Sequence, residues 1–431
     1  MAYQDNGSKA ARWVVNFNNG NVNDNHQNNN ACVRAVRASE YQCNETVSLR
    51  QIYTAWLKAR KGKKPSANQF VFDTNWANNL LQLQHSVNSC SWQPLPSTCF
   101  IAIRPKAREI HAPDFSDRVV HHWLVPQLEK LWEPAFIFDS YANRKGKGSH
   151  AAVVRLQQFI RQLPRAHYLQ LDIHNFFNSI HRPTLWAMLK HKLLKAGASS
   201  QVLHATHALL KHHPVKQGSK YRCTADERNA VPMHKRLENS APGCGLPIGN
   251  LSSQFFANVY LDALDQFVKH TLKAKRYIRY VDDFVIVHQS PAQLKIWQAE
   301  IEQFIAEKLQ LKLKQDIRLR PLTDGIDFLG YVVRPTHTIT RQRVVSHFNQ
   351  ALSAWECQHI TNNKIKALPA SVRQIKSVIA SYMGHIKQCN SYRLIQKLNA
   401  RYPWIAAVTA NRKFDYRLEH NLVDINIGLP Q

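Results

Sequence analysis

Three carboxylates in apolar, strand-forming surroundings constrain this chain more than any other feature. Asp172 closes the run HYLQLD, and Asp282 and Asp283 lie between the β-rich halves of RYIRYVDDFVIVH, which reads as a hairpin with the pair at its tip. Carboxylates in such settings are costly unless something positive neutralises them. Two Mg²⁺ ions would do so. Mg²⁺ takes a few carboxylates together with phosphate oxygens and water, and a pair of ions suits in-line phosphoryl displacement. The competing reading is a plain turn, because Asp favours turns and four-residue strings recur by chance. On the string YVDD alone both readings stand.

The charge balance points the same way. Lys and Arg number 57 against 29 Asp and Glu in 431 residues, an excess of 28, so a polyanion is the default partner. A basic surface without function is the alternative. With 44 % hydrophobic residues the chain can build a real core, which excludes global disorder. The start MAYQDNGSKA lacks a secretory pattern, and no run of 18 apolar residues predicts a membrane span. The eight cysteines are scattered without a CxxC pair, which predicts a reducing, cytoplasmic setting. Cys223 with His204, His207, His212 and His213 matches no standard zinc spacing.

Residues 1–45 form a separate leader with four basic and four acidic residues, and nine of the fifteen residues in Asn16–Asn30 are Asn. Asn forms helix and strand poorly, so this stretch is expected to be irregular. From Val47 to Leu83 the pattern is helical, broken by KARKGKKP, either a solvated loop or a phosphate-contacting arm. CFIAIRPKAREI reads as strand, basic turn, strand, and residues 117–133 as a helix. In SYANRKGKGSH two glycines loosen a loop and Ser149 is the expected N-cap of the next helix. SQFFANVYLDALDQFVK is a strongly apolar helix, and GIDFLGYVV gives another strand pair. Beyond about residue 345 the pattern is helical, with Ser371 as a cap, and carries eleven basic against four acidic residues.

Taken together, these segments resemble reverse transcriptases. LDIHNFFNSI resembles their motif A, GLPIGNLSSQFFANVYLDALD motif B, YVDD motif C, GIDFLGYVV motif E with its primer grip, and FIAIRPKAREIHAPDFSDRVVHHWL the fingers motif, in family order over roughly residues 47–400. The resemblance implies an α+β right-hand polymerase: fingers, a palm of antiparallel sheet backed by helices, and a helical thumb. The expected division is 46–165 for the fingers and N-terminal region, 166–335 for the palm with an insertion near 190–240, and 336–431 for the thumb and tail. Motif B here reads Leu246-Pro247-Ile248-Gly249-Asn250-Leu251-Ser252-Ser253-Gln254, where most reverse transcriptases carry Gln after the Pro and close on Ser-Pro. That variant resembles the enzymes of diversity-generating retroelements, which copy a template-repeat RNA, misread adenines, and send the cDNA to a variable region of a target gene. The leader resembles the variable segment of such targets. Asn codons begin with two adenines, so an Asn cluster is what an unmutated template repeat looks like in translation. An ordinary low-complexity tail is the alternative.

The resemblance also implies roles. Asp172, Asp282 and Asp283 are the catalytic acids and, with the carbonyl of Ile173, hold two Mg²⁺ ions. Arg108, with Arg104 and Lys106, meets the triphosphate of a dNTP, although Arg104 and Lys106 also read as solvated turn charges. Phe177 is the steric gate against a ribose 2′-OH, or a core Phe. Ile248 stands where a Gln supports the nucleotide, and Gly249 lets the chain pass close to substrate. Arg144, Lys145 and Lys147 grip the template–primer backbone, Phe328, Leu329 and Gly330 form the primer grip, and Gln254 contacts the template or caps its helix. The implied partners are the template RNA, its cDNA and primer, and a basic accessory variability protein. A retron-like or phage-defence enzyme is the nearest alternative; an intron-encoded enzyme and a non-catalytic polymerase relative stand further off.

Overall fold

The computed structural model describes residues 46–62, 65–103, 106–410 and 423–426, together with two short paired strands, β1 (Val14–Val15) and β2 (Val22–Asn23). The expectation of an irregular leader and the placement of Arg104 otherwise lie outside the described residues. The chain is α+β, with mostly antiparallel sheets, as expected. It divides into two compact units that interleave along the sequence: 1–137, 173–267 and 302–313 in one, 138–172, 268–301 and 314–431 in the other. Among the described residues no helix is long and apolar enough to cross a membrane.

The first unit is mainly helical. Its first helix, Leu49–Arg60, starts on a reciprocal cap: Ser48 Oγ accepts the Gln51 N–H, and the Gln51 side chain accepts the Ser48 N–H. The helix Leu251–Gln266 is buried over most of its surface: Phe255, Phe256, Val259, Tyr260, Leu261 and Leu264 are buried, and so are the polar Ser252, Ser253, Asn258 and Asp265. Strands β3 (Thr98–Ala102) and β4 (Arg108–Ala112) are antiparallel, and the short β6 (Lys220–Tyr221) adds to β3 in parallel. Helix Phe115–Trp132 is capped by Asp114, whose carboxylate accepts the Ser116 N–H.

The second unit is built on a four-stranded antiparallel sheet in the order β7 (Tyr277–Tyr280), β8 (Asp283–His288), β5 (His167–Asp172), β9 (Arg318–Pro321). Tyr168, Ile278, Val285 and Val287 of this sheet pack with Leu156, Phe159 and Ile160 of helix Ser149–Arg161. The same cluster takes in Ile326, Phe328, Tyr331 and Val333 from β10 (Ile326–Phe328) and β11 (Tyr331–Val333), which pair with each other, while β12 (Thr338–Thr340) adds to β11. A second core gathers Phe348, Leu352, Val372, Ile375, Ile379 and Trp404 from the C-terminal helices.

Three local expectations need correction. Gly148, at φ 137°, is the N-cap of helix Ser149–Arg161, so Ser149 is its first turn. Ser371 lies inside helix Pro369–Ile386; its hydroxyl accepts the Trp355 indole N–H and sits 2.8 Å from His359 Nε2. The C-terminal region is not all helix: β13 (Ile360–Thr361), β14 (Lys364–Ala367) and β15 (Val423–Asn426) form a sheet. Its hairpin turns on Asn362-Asn363, both at positive φ (51° and 57°), the backbone a two-residue primed turn requires.

Candidate active site

All three sequence-selected acids fall within the second unit. Asp172 ends β5 and Asp283 opens β8, and the two are direct cross-strand partners. Asp282 occupies the turn between β7 and β8, so the strand register itself gathers the three. Each pays a different cost for that. Burial, then the charge of Asp172, pushes the Asp282 carboxyl up to about 6. Burial pushes Asp283 up to about 7, with the charges of Asp172 and Asp282 adding to it against a hydrogen bond from Gln170. That bond runs from Gln170 Nε2 to Asp283 Oδ1 at 3.1 Å, and the same amide donates to the Asp327 carbonyl at 3.0 Å.

The donor set fits Mg²⁺. Oxygen ligands are what the ion prefers, and Asp172 Oδ1 is buried with no hydrogen-bond partner. The carboxylates do not close around one point: among the described residues no group of His, Cys, Asp and Glu forms a metal cage. Instead the Lys314 ammonium pairs with Asp172 Oδ2, while its backbone N–H donates to the Asp172 carbonyl at 2.8 Å. Ile173, next in the chain, is fully buried and bridges Leu313.

These raised values have a consequence for stability in chelator. A carboxyl whose folded value lies above the unfolded one binds extra protons in the fold between about pH 4 and 7. Its contribution is therefore present on the acid side of that window and is lost as pH rises through it. Asp283→Asn should stabilise the metal-free protein at pH 7.5 by on the order of a few kcal/mol at most, raising its melting temperature and flattening the decline between pH 4 and 7. Thermal denaturation across that range checks it; a melting temperature that climbs with pH equally in both proteins contradicts it.

Two residues overlooked in the sequence support the acids. Gln170 stands two positions before Asp172, so strand alternation puts both on one face; that was the available signal. Arg279 is 1 % exposed. It donates from Nη1 to the Val281 carbonyl at 3.0 Å and from Nη2 to Ser140 Oγ at 3.1 Å. Its backbone pairs with Asp139 and Tyr141. Val281, a β-branched residue, sits at φ 55° immediately before Asp282. This conformation costs about 1–2 kcal/mol and persists only when its surroundings hold it. Nothing in the linear string marks an Arg as buried.

The primer-grip candidates divide. Phe328 is fully buried in the core, a correction to its expected contact role. Leu329 and Gly330 form the turn, at φ 53° and 88°. A Cβ on Gly330 would lie 3.1 Å from the His385 ring, which also stacks on Tyr331 with centroids 4.1 Å apart. In the basic loop, Lys145 is exposed, but Arg144 donates to the Ser140 carbonyl and Lys147 lies over the Phe138 ring at 3.4 Å.

The remaining candidates belong to the first unit. Phe176 is buried, whereas Phe177 is half-buried and its carbonyl accepts the Leu246 N–H at 2.8 Å. The Ile248 carbonyl accepts the His111 N–H at 2.8 Å, which ties motif B to β4. Gly249 has φ 119°, and a Cβ there would lie 2.9 Å from Ile110 Cγ2, so its close approach is to β4. Lys106 and Arg108 are exposed. Gln254 is exposed inside its helix, whose N-cap is Asn250, so it is not a cap.

A family model described as reverse transcriptase (RNA-dependent DNA polymerase) matches residues 103–333. Protein YkfC of Escherichia coli K12 is 24 % identical over 322 residues, 66 % of this chain and 78 % of that protein. The group II intron-encoded protein LtrA of Lactococcus lactis is 22 % identical over 279 residues, 55 % of this chain and 46 % of LtrA, so the chain spans about half of LtrA's length. Among solved structures, apo telomerase from Candida tropicalis aligns at TM-score 0.42 and 11 % identity, covering 62 % of this chain and 60 % of that one. Telomerase from Candida albicans with a TWJ fragment of telomeric RNA aligns at 0.37 and 14 %, covering 75 % and 62 %.

Proposed function

This chain belongs to the reverse transcriptase (RNA-dependent DNA polymerase) family, and we propose that it extends a DNA primer on a template-repeat RNA of a diversity-generating retroelement, misreading template adenines. The observation that carries the polymerase reading is the register of β5 on β8, which sets Asp172 opposite Asp283 with Asp282 in the adjoining turn. Asp172 and Asp282, with the Ile173 carbonyl, would hold two Mg²⁺ ions, and Asp283 would support them. Bound there, the ions supply Lewis-acid stabilisation to the entering and leaving oxygens of an in-line displacement at the dNTP α-phosphate.

The chain's own residues do the rest. For Asp172 to turn both oxygens to a ligand, its ion pair with Lys314 must open. Arg108 binds the triphosphate, because a guanidinium fork matches phosphate oxygens. Arg104 and Lys106 add positive charge to that grip. The half-buried Phe177 ring excludes a ribose 2′-OH. Lys145, with the positive charges of the helical C-terminal region, holds the nucleic-acid backbone without regard to sequence. A basic accessory protein that binds the template RNA completes the proposed system.

Motif B supports the retroelement assignment. Ile248 has no side-chain hydrogen bond to offer where related enzymes carry a Gln, so it constrains a mispaired base less. Ile248→Gln should therefore lower misincorporation opposite template adenine several-fold and leave errors opposite the other bases nearly unchanged. Sequencing of cDNA made on one defined RNA reads this directly; an identical adenine spectrum in both enzymes removes the role. The similarity to LtrA favours a second reading, an intron-type enzyme. That reading expects no adenine bias in the wild-type spectrum.

A further inference from the structure

The first unit carries two grooves, one on either side of the helix Leu49–Arg60, that none of the roles above uses. One, of about 480 Å³, is lined by Leu49, Tyr53, Trp76 and Leu81, with Arg50 at its edge. Its side chains are unusually open for their size: Tyr53 is 39 % and Trp76 43 % exposed. The Trp76 ring is supported from behind, stacked on the buried Trp56 with centroids 5.3 Å apart and planes at 13°. Tyr53 lies 6.0 Å from Trp76, and the Arg60 guanidinium covers Trp56 at 4.5 Å. The other groove, of about 450 Å³, is lined by Arg50, Lys58 and Lys130 among hydroxyl and amide side chains and the rings of His122, Trp123 and Pro126. No carboxylate lines either one. Arg50 lines both.

We propose that this helix is a binding site for single-stranded RNA, with bases stacked on Tyr53 and Trp76 and phosphates on Arg50, Lys58 and Lys130. A pre-stacked, exposed aromatic ring beside a groove that carries three cations among neutral side chains is a combination that binds a single strand with little sequence preference. An apolar patch built for a protein partner would not need three cations in the groove alongside. The site deepens the template-copying reading and rests on it: it would hold a stretch of template RNA outside the one being copied.

The test uses the full chain, a fluorescein-labelled unstructured 20-nucleotide RNA, and anisotropy at several salt concentrations. Trp76→Ala should weaken binding by roughly 5- to 100-fold, and Trp76→Phe should restore most of it. Arg50→Glu with Lys130→Glu should weaken binding and reduce the salt slope by about two. All these variants should still extend a short annealed primer–template, whereas Asp282→Asn should bind the labelled RNA normally and extend nothing, which separates failure of this site from failure of the polymerase reading. Unchanged RNA affinity in both Trp76→Ala and the Arg50/Lys130 double variant overturns the proposal. So does tighter, Trp76-dependent binding of a DNA strand of the same sequence. So does sedimentation showing a wild-type dimer that Trp76→Ala splits, which would make a second copy the occupant.

Discussion

Asp282→Asn is expected to cut primer extension on an RNA template by at least roughly 10³-fold, the scale on which removal of one preorganised electrostatic group acts in a water-poor site. The substitution keeps the size of the side chain and the turn that carries it, so it removes charge with little change in packing. It also relieves the burial cost and the repulsion from Asp172 that together hold this carboxyl at about 6. The variant should thus be at least as stable as the wild type while losing its reaction, a pairing that misfolding cannot produce. Single-turnover incorporation of one dNTP, together with a melting curve, supplies both readings. Activity within tenfold of wild type would remove the carboxylate cluster from the chemistry.

Phe177→Val should open the enzyme to ribonucleotides, lowering its preference for a dNTP over the matching NTP by roughly 10²-fold, the scale of steric discrimination by one well-placed group. The expectation depends on a fixed ring. Phe176, its neighbour, is 3 % exposed and serves as the anchor. The 2.8 Å bond from the Leu246 N–H to the Phe177 carbonyl ties the segment to motif B. Competing incorporation of dCTP and CTP opposite the same template base measures the ratio. A preference that survives the substitution would make Phe177 a packing residue.

Strand ends and helix faces were legible in the sequence because burial imposes periodicity. HYLQLD and YVDDFVIV declare their strands, but the hairpin tip falls one residue earlier than the Asp pair suggests, on Val281-Asp282, with Asp283 already in β8. Features set by tertiary context were not. Ser149 and Ser371 have the chemistry of caps, yet one is displaced by a glycine in an extended, positive-φ conformation and the other is drawn into a Trp355–His359 hydrogen-bond pair. The Asn362-Asn363 turn was readable by its residue types, but short flanking strands in a helical neighbourhood masked it. Phe328 illustrates a different limit: a motif fixes where a loop falls, and only packing decides which of its residues face inward.

The bond between Arg279 and the Val281 carbonyl separates a position's chemistry from its identity. Since the main chain is what the guanidinium holds, substitution should be tolerated less at residue 279 than at residue 281. A glycine or asparagine at 281 would adopt the left-handed conformation more cheaply and leave the carbonyl in place. Variation tolerated at the middle of this signature, flanked by intolerance at its buried arginine, is the evolutionary trace such a scaffold should leave.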